Sequence, residues 1–214
     1  MISNIQLVVF GNFEKFSTQN AENYIELIRF WTERGFQPSS VNQMKMNANG
    51  LVETIIMPVF VKDTEASVEV LGDRINFKLA NTNGTDSKER FIEIFKVDMY
   101  RKSMEFIDKF QIRGNRLALN CEETITCENI TLGEELLPGF PNIEKTERLL
   151  CRKEIFDEVC NISRETCAVS EGNVIRSFFD YNTLFENSET RFSVENDRKI
   201  FDCFLEILCK MQQM

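Results

Sequence analysis

Apolar and polar positions alternate with two different periods along this chain, and each period predicts its own kind of element. The apolar run Ile5–Phe10, which ends at Gly11, predicts a short first strand. A helix is predicted next, capped by Ser17 or Thr18 and ended at Gly35, because four apolar residues repeat at helical spacing: Tyr24, Leu27, Ile28 and Trp31.

The middle of the chain mostly shows the two-residue period of strands. Residues 51–61 are rich in β-branched side chains and are interrupted by Pro58, which indicates a sheet edge or a bulge at that point. Residues 67–81 form the clearest hairpin pattern, with the turn at Gly72. After a loop at 81–86, Asp86 and Glu89 resemble a capping box, which predicts a long helix that ends near residue 111.

The last part of the chain repeats this alternation of strands and a helix. A strand is predicted to begin after Gly114, and residues 132–142 hold two of the four prolines and indicate a connection. Residues 146–160 fit either period, and a strand is favoured. Another strand follows Gly172, and a final helix is predicted to start at Ser193 or Asn196.

This order of elements predicts an α+β fold, a mostly antiparallel sheet with long helices packed on one face. Two pseudo-repeated halves are an option, although the letters show no duplication. We expect a single α+β domain over residues 1–214, with sub-halves 1–131 and 143–214 joined by the connection 132–142.

Composition narrows the chemistry that this chain can perform. It contains no histidine, which removes Ser-His-Asp and Cys-His hydrolysis and metal sites with histidine ligands. The seven cysteines are odd in number and contain no CxxC pair, so they predict neither a complete set of disulfides nor a zinc ribbon. We therefore expect no cofactor. Carboxylate, lysine, tyrosine and thiolate chemistry remain open.

Charge is distributed unevenly along the chain. Residues 1–120 hold 15 basic and 15 acidic residues, and residues 121–214 hold 10 basic and 19 acidic residues. Neither part has the positive excess that nucleic-acid binding requires, so a nucleic-acid partner is not expected. The start of the chain resembles no signal peptide and no apolar run is long enough to span a membrane, which predicts a cytoplasmic protein.

The pattern of several segments resembles one known group of proteins. The hairpin VEVLGDRINFKLAN, the strand RLALNCEE and the closing unit SFFDYNTLF with RKIFDCFLEILCKM are similar to elements of a sporadically distributed prokaryotic family of uncharacterised proteins. The chain lacks the tryptophan-rich strand that many members of that family carry. The resemblance carries no catalytic residues over, and it implies an accessory protein of a mobile or defence-related gene cluster.

The strongest candidate for a polar site lies in the segment RSFFDYNTLF. Strand alternation puts Asp180 and Asn182 on one face, with Arg176 on the same side and within reach of an ion pair. The favoured interpretation is a carboxylate paired with arginine, and a buried acid with a raised pKa is the alternative. Glu122 and Glu123 are further candidates, because acidic clusters of this kind can bind Mg²⁺.

Together these observations predict a protein-interaction module that is not an enzyme. The expected role is an accessory or chaperone-like component of a bacterial antiphage-defence or toxin-related system, with a protein partner and the option of a homo-oligomer. One alternative is a divalent-metal-dependent hydrolase that uses clusters of Asp and Glu. A second alternative is a nucleic-acid-binding module.

Overall fold

The protein is represented by a computed structural model, which describes residues 1–46, 49–50, 52–82, 84, 86–126, 144–169, 174–184 and 191–210. Nine strands account for about half of these residues. Their bounds are β1 Ile2–Phe10, β2 Gln37–Met46, β3 Val52–Lys62, β4 Ala66–Val70, β5 Arg74–Ala80, β6 Arg116–Thr126, β7 Glu144–Ile155, β8 Glu158–Val169 and β9 Val174–Thr183.

The helices connect or follow groups of strands. Helix α1 spans Ala21–Thr32 after a short 3-10 turn, and helix α4 spans Val194–Lys210. Between β5 and β6 the chain forms one continuous helical segment of α2 (Lys88–Phe95), a π-helical turn (Lys96–Tyr100) and α3 (Arg101–Lys109).

All nine strands belong to one antiparallel sheet in the order β2-β3-β4-β5-β1-β6-β9-β8-β7. The first strand lies near the middle, where it pairs with β5 on one side and β6 on the other. Strands β2 and β7 therefore form the two edges of the sheet within the described part of the chain.

The predicted fold class, an α+β fold with long helices packed on one face of the sheet, is wrong. The described residues form mostly this nine-stranded sheet; only three helices accompany it, and one of them is long, with 22 residues. The option of two pseudo-repeated halves stays a prediction: strands β1 to β5 precede the long helix, β6 to β9 follow it, and the two groups join through the β1–β6 ladder. Strand β2 was missed because QPSSVNQMKM lacks the apolar alternation that marks the other strands.

Most single-element predictions agree with the structure, but two caps do not. Helix α1 begins after Asn20, whose side chain accepts a hydrogen bond from the Asn23 amide, and α2 begins after Ser87, which caps the Arg90 amide. Ser193 caps α4 as predicted. The segment 146–160 is extended, as favoured, but it contains a turn at residues 156–157. The predicted connection 132–142 lies outside the described residues.

The core is filled by aromatic rings. Trp31 of α1 lies within ring-contact distance of Phe60 of β3, Phe77 of β5 and Phe106 of α3, with centroid separations of 6.1, 6.2 and 5.5 Å. At the other end of the sheet, Tyr181 of β9 contacts Phe204 of α4 at 6.1 Å. Rings bury a large apolar area, and the phenylalanines need no hydrogen-bond partner, whereas Trp31 Nε1 and the Tyr181 hydroxyl are buried without one among the described residues.

Candidate functional site

The segment that carries Asp180 is a strand with two different faces. In β9, Ser177, Phe179, Tyr181 and Thr183 are buried, and Phe178 and Asp180 between them are more accessible. This alternation is the one that the sequence predicted. We call the side of the sheet that holds Phe179 and Tyr181 the apolar face, and the side that holds Asp180 the polar face.

The polar face extends over neighbouring strands because their registers align polar positions. Opposite Asp180 lie Asn120 on β6 and Ser163 on β8, and Asn120 in turn faces Gln6 on β1. A second row passes through Asn182 and Asn161. The polar face is defined here by these side chains and their neighbours: Asn4, Gln6, Asn76, Asn120, Glu122, Asn161, Ser163, Phe178, Asp180 and Asn182.

Hydrogen bonds fix several of these groups to one another. The Asn182 side-chain amide donates to the Asp180 carboxylate at 3.0 Å, and the Asn161 amide donates to Asn182 Oδ1 at 3.3 Å. The Ser163 hydroxyl donates to the Asp180 backbone carbonyl at 3.1 Å. Because Asn182 is nearly fully buried, these bonds satisfy polar groups that would otherwise destabilise the fold.

The predicted ion pair between Asp180 and Arg176 is wrong as far as the described residues show. Arg176 is exposed, and the described residues show no ion pair between it and Asp180. Four residues of extended strand separate them by about 13 Å, which is too far for the two side chains to meet. Asp180 is paired with an amide, not with arginine.

Glu122 and Glu123 do not form a cluster. Adjacent strand residues point to opposite faces. Glu122 lies on the polar face and accepts a hydrogen bond from Asn4 at 2.7 Å. Glu123 is buried on the other side, with Lys88 Nζ at 2.8 Å and the amino terminus of Met1 at 3.8 Å. Across the described ranges no group of three or more metal-ligating side chains converges.

One feature of the polar face was missed in the sequence. The ring of Phe10 on β1 lies between the guanidinium groups of Arg74 on β5 and Arg116 on β6, whose carbon atoms are 6.0 and 5.0 Å from its centroid. These are cation–π distances. Residues 74 and 116 both face residue 10 in the antiparallel ladders, so only the strand order could have revealed this row.

The thiols and phenols of the core are poorly suited to nucleophilic chemistry. Burial raises the pKa of the Cys121 thiol to about 12, and burial also raises the pKa of Cys160 to about 12. Burial raises the pKa of the Tyr181 phenol above its ordinary value. Since the thiolate is the reactive form, these two cysteines are inert at neutral pH.

One buried carboxylate was not anticipated. Asp197, in the first turn of α4, is fully buried, and neither of its oxygens has a hydrogen-bond partner among the described residues. Burial raises its pKa from 3.8 to about 7. A substrate has no access to a fully buried side chain, so Asp197 bears on stability and not on a site.

A small cleft lies beside the π-helical turn. It has a volume of about 90 Å³, and both charged and apolar side chains line it, among them Lys62, Asp63, Asp98, Lys102, Leu79 and Met99. Lys102 is held by Asp98 at 3.4 Å. A π-helical turn is often found at a functional site, but this cleft is smaller than the roughly 300 Å³ at which ligand pockets usually begin.

Comparisons with other proteins give no further assignment. The chain matches no protein-family model, and no curated protein or solved structure is detectably similar to it. Among the described helices, none has the length and apolar character needed to cross a bilayer.

Proposed function

We propose that the protein is an interaction module that is not an enzyme and that binds a partner protein through its polar face. The observation that carries this proposal is the more accessible Asp180 carboxylate, which the buried Asn182 amide holds in place by a hydrogen bond. Groups that are already fixed lose little conformational entropy when a partner binds them.

The apolar components of such an interface lie on the same face. Phe178 neighbours Asp180 along β9, and its ring is 42% exposed. Leu150 of β7 faces Ser163 in the same row as Asp180 and is 55% exposed. An aromatic or aliphatic anchor surrounded by polar groups is the composition of a protein-binding surface.

The resemblance noted in the sequence suggests the biological setting. We place the protein among accessory or chaperone-like components of a bacterial defence or toxin-related system, as a member of that sporadic family. Six described cysteines are free, which suits the reducing cytoplasm. A protein partner and a homo-oligomer are both part of this proposal, and nucleic acid is not.

The two alternatives have less in their favour. A divalent-metal-dependent hydrolase would need converging carboxylates, and Glu122 and Glu123 point to opposite faces. A nucleic-acid-binding module would need an excess of positive charge, whereas the polar face holds the carboxylates of Glu122 and Asp180 as well as the guanidinium groups of Arg74 and Arg116.

The test is affinity capture from the native host with a matched pair of variants. Phe178→Ala removes the exposed ring of the polar face, and Ile25→Ala removes a side chain of 55% exposure on α1, away from that face. We expect the wild type and Ile25→Ala to enrich the same partner, and Phe178→Ala to lose at least about tenfold of that enrichment.

The captured partner is then purified and titrated against the three proteins by calorimetry, which removes indirect binding. The chain's own peptides are left out of the count, so self-association does not enter the result. Equal enrichment by both variants, or no specific partner at all, would contradict the proposal.

A further inference from the structure

Strand β7 is a long and regular edge of the sheet, and in the described part of the chain its charged side chains are its protection. Side chains from Lys145 to Glu154 are all exposed, and the strand contains no proline. In the portion of the chain that the structure describes, β7 pairs only with β8. An edge of this kind has a row of backbone N–H and C=O groups without a strand to bind, and it favours the addition of another strand.

The hairpin geometry shows which of these groups point outward. The Val159 carbonyl accepts from the Leu184 amide at 3.1 Å, so residue 159 bonds toward β9. Residues 158, 160 and 162 therefore bond toward β7, where their partners are Ile155, Lys153 and Cys151. The outward backbone groups consequently belong to the residues in between: Arg148, Leu150, Arg152 and Glu154.

We infer that the occupant of this edge is β7 of a second copy of the chain, in antiparallel pairing across a two-fold axis. Directly opposed residues of a ladder share a face, so such an axis must pass where a residue opposes its own copy. Each possible register is therefore identified by the residue at its centre.

Charge selects one register among those centred on residues 147 to 152. Centres at Glu147, Arg148 and Arg152 oppose a charge to itself. A centre at Leu149 opposes Lys145 to Lys153, and a centre at Leu150 opposes Arg148 to Arg152. Like charges that are directly opposed destabilise a ladder.

The register centred on Cys151 has no such conflict. In this register Arg148 lies opposite Glu154 of the second copy, and the two-fold axis generates this pair twice. Leu150 lies opposite Arg152, and Leu149 lies opposite Lys153. The outward backbone groups of Arg148, Leu150, Arg152 and Glu154 then bond in both copies. Cys151 itself occupies a non-hydrogen-bonded position, where opposed Cα atoms are closest, about 4.5 Å apart.

The overall charge of −9 opposes association of two copies, but it is not concentrated at this edge. Between residues 145 and 155, β7 carries four basic and two acidic side chains. This inference refines the homo-oligomer of the proposed function, and it does not depend on the polar face binding a partner protein.

The first experiment is sedimentation equilibrium of the purified chain over a range of concentrations. We expect a monomer–dimer equilibrium for the wild type. Arg148→Glu opposes two carboxylates at each end of the interface and should weaken the dimer at least about tenfold, and adding Glu154→Arg should restore it. Arg101→Glu, the same charge reversal on exposed α3, should leave the dimer unchanged.

Two further variants test the edge and the register separately. Leu150→Pro removes an outward N–H and leaves the ladder to β8 intact, so it should give a folded monomer, with folding checked by circular dichroism. Diamide should link the wild-type dimer through Cys151, as two thiols give up two protons and two electrons and diamide becomes the hydrazine. Cys151→Ser should abolish this link, and Cys167→Ser should not.

Each outcome decides the inference. A chain that stays monomeric at every concentration overturns it, and so does a dimer that tolerates Leu150→Pro. A dimer that Arg148→Glu weakens and the double variant does not restore, or one that diamide links equally well without Cys151, refutes the register. Failure of the Phe178→Ala capture test with an intact dimer refutes only the proposed partner binding.

Discussion

The two faces of the same sheet differ more than any two elements of this protein. On the apolar face, Leu119, Phe179 and Tyr181 are buried among rings and aliphatic side chains. One residue further along the same strands, Asn120 and Asp180 belong to a half-buried polar row. The difference teaches that alternate positions of the same strands divide into a core set and a surface set, so that the surface to which we assign partner binding can be changed with little effect on the core.

The largest effect should come from the centre of the aromatic core. Phe106 is fully buried, and its ring neighbours include Phe30, Trp31 and Phe77. Phe106→Ala leaves a cavity among these rings and should lower the free energy of unfolding by about 4 kcal/mol. Urea denaturation followed by Trp31 fluorescence measures this change. A loss below about 1 kcal/mol would show that the core collapses around the cavity.

A smaller loss is expected on the apolar face of a central strand. Leu119 of β6 is fully buried and faces Leu7 of β1 and Tyr181 of β9. Leu119→Ala should cost about 3 kcal/mol of unfolding free energy in the same denaturation experiment. Partner capture through the polar face should persist wherever the variant is folded.

Asp197 gives a change that depends on pH. The folded carboxyl has a pKa of about 7 and the unfolded one 3.8, so the folded state retains a proton that the unfolded state has lost. Stability therefore falls as the pH rises from about 4 to about 7, and it stays low above that range. Asp197→Asn should flatten this dependence and raise the free energy of unfolding by roughly 2 kcal/mol at about pH 8.

Urea titrations at several pH values measure this effect, with Glu195→Gln as the control. Glu195 lies in the same turn of α4 but is exposed, and Lys199 lowers its pKa by a side-chain hydrogen bond. That control should not stabilise the protein at any pH. A pH profile of Asp197→Asn identical to that of the wild type would contradict the assignment.

The smallest effect is expected from the polar neighbour of Leu119. Asn120 lies between Gln6 and Asp180 on the polar face and is half-buried. Asn120→Ala should change the free energy of unfolding by less than about 0.5 kcal/mol. Capture of the partner should nevertheless weaken. A stability loss as large as that of Leu119→Ala would remove the distinction between the faces.

Local patterns predicted most of the helices and strands. The features that they missed are contacts, which depend on how far apart residues lie in the folded chain. Strand alternation placed Asp180 and Asn182 on one face without any knowledge of the neighbours. The same alternation should have separated Glu122 from Glu123, which the reading of an acidic cluster overlooked. The period of a strand shows which residues share a face, but it does not show whether their side chains are close enough to touch. The predicted ion pair of Arg176 with Asp180 was wrong for this reason.

Other features could not be predicted from one strand at a time. The row of Arg74, Phe10 and Arg116 exists only because β1 lies between β5 and β6. The burial of Asp197 depends on which elements pack around α4. Because α4 is apolar on more than one side, its sequence pattern does not show which of its polar residues is buried. The sheet is larger than the pattern indicated for two reasons. Strand β2 was not recognised, and the turn at 156–157 joins two strands, β7 and β8, where the pattern indicated one.

The position of β1 near the middle of the sheet has a consequence for how the chain is made. During synthesis β1 leaves the ribosome before its partners β5 and β6, which begin only at residues 74 and 116. The apolar side chains of β1 stay exposed in the nascent chain until these distant segments are synthesised, so chaperones would protect this aggregation-prone strand. Such distant pairing makes folding slow, on the order of milliseconds to seconds.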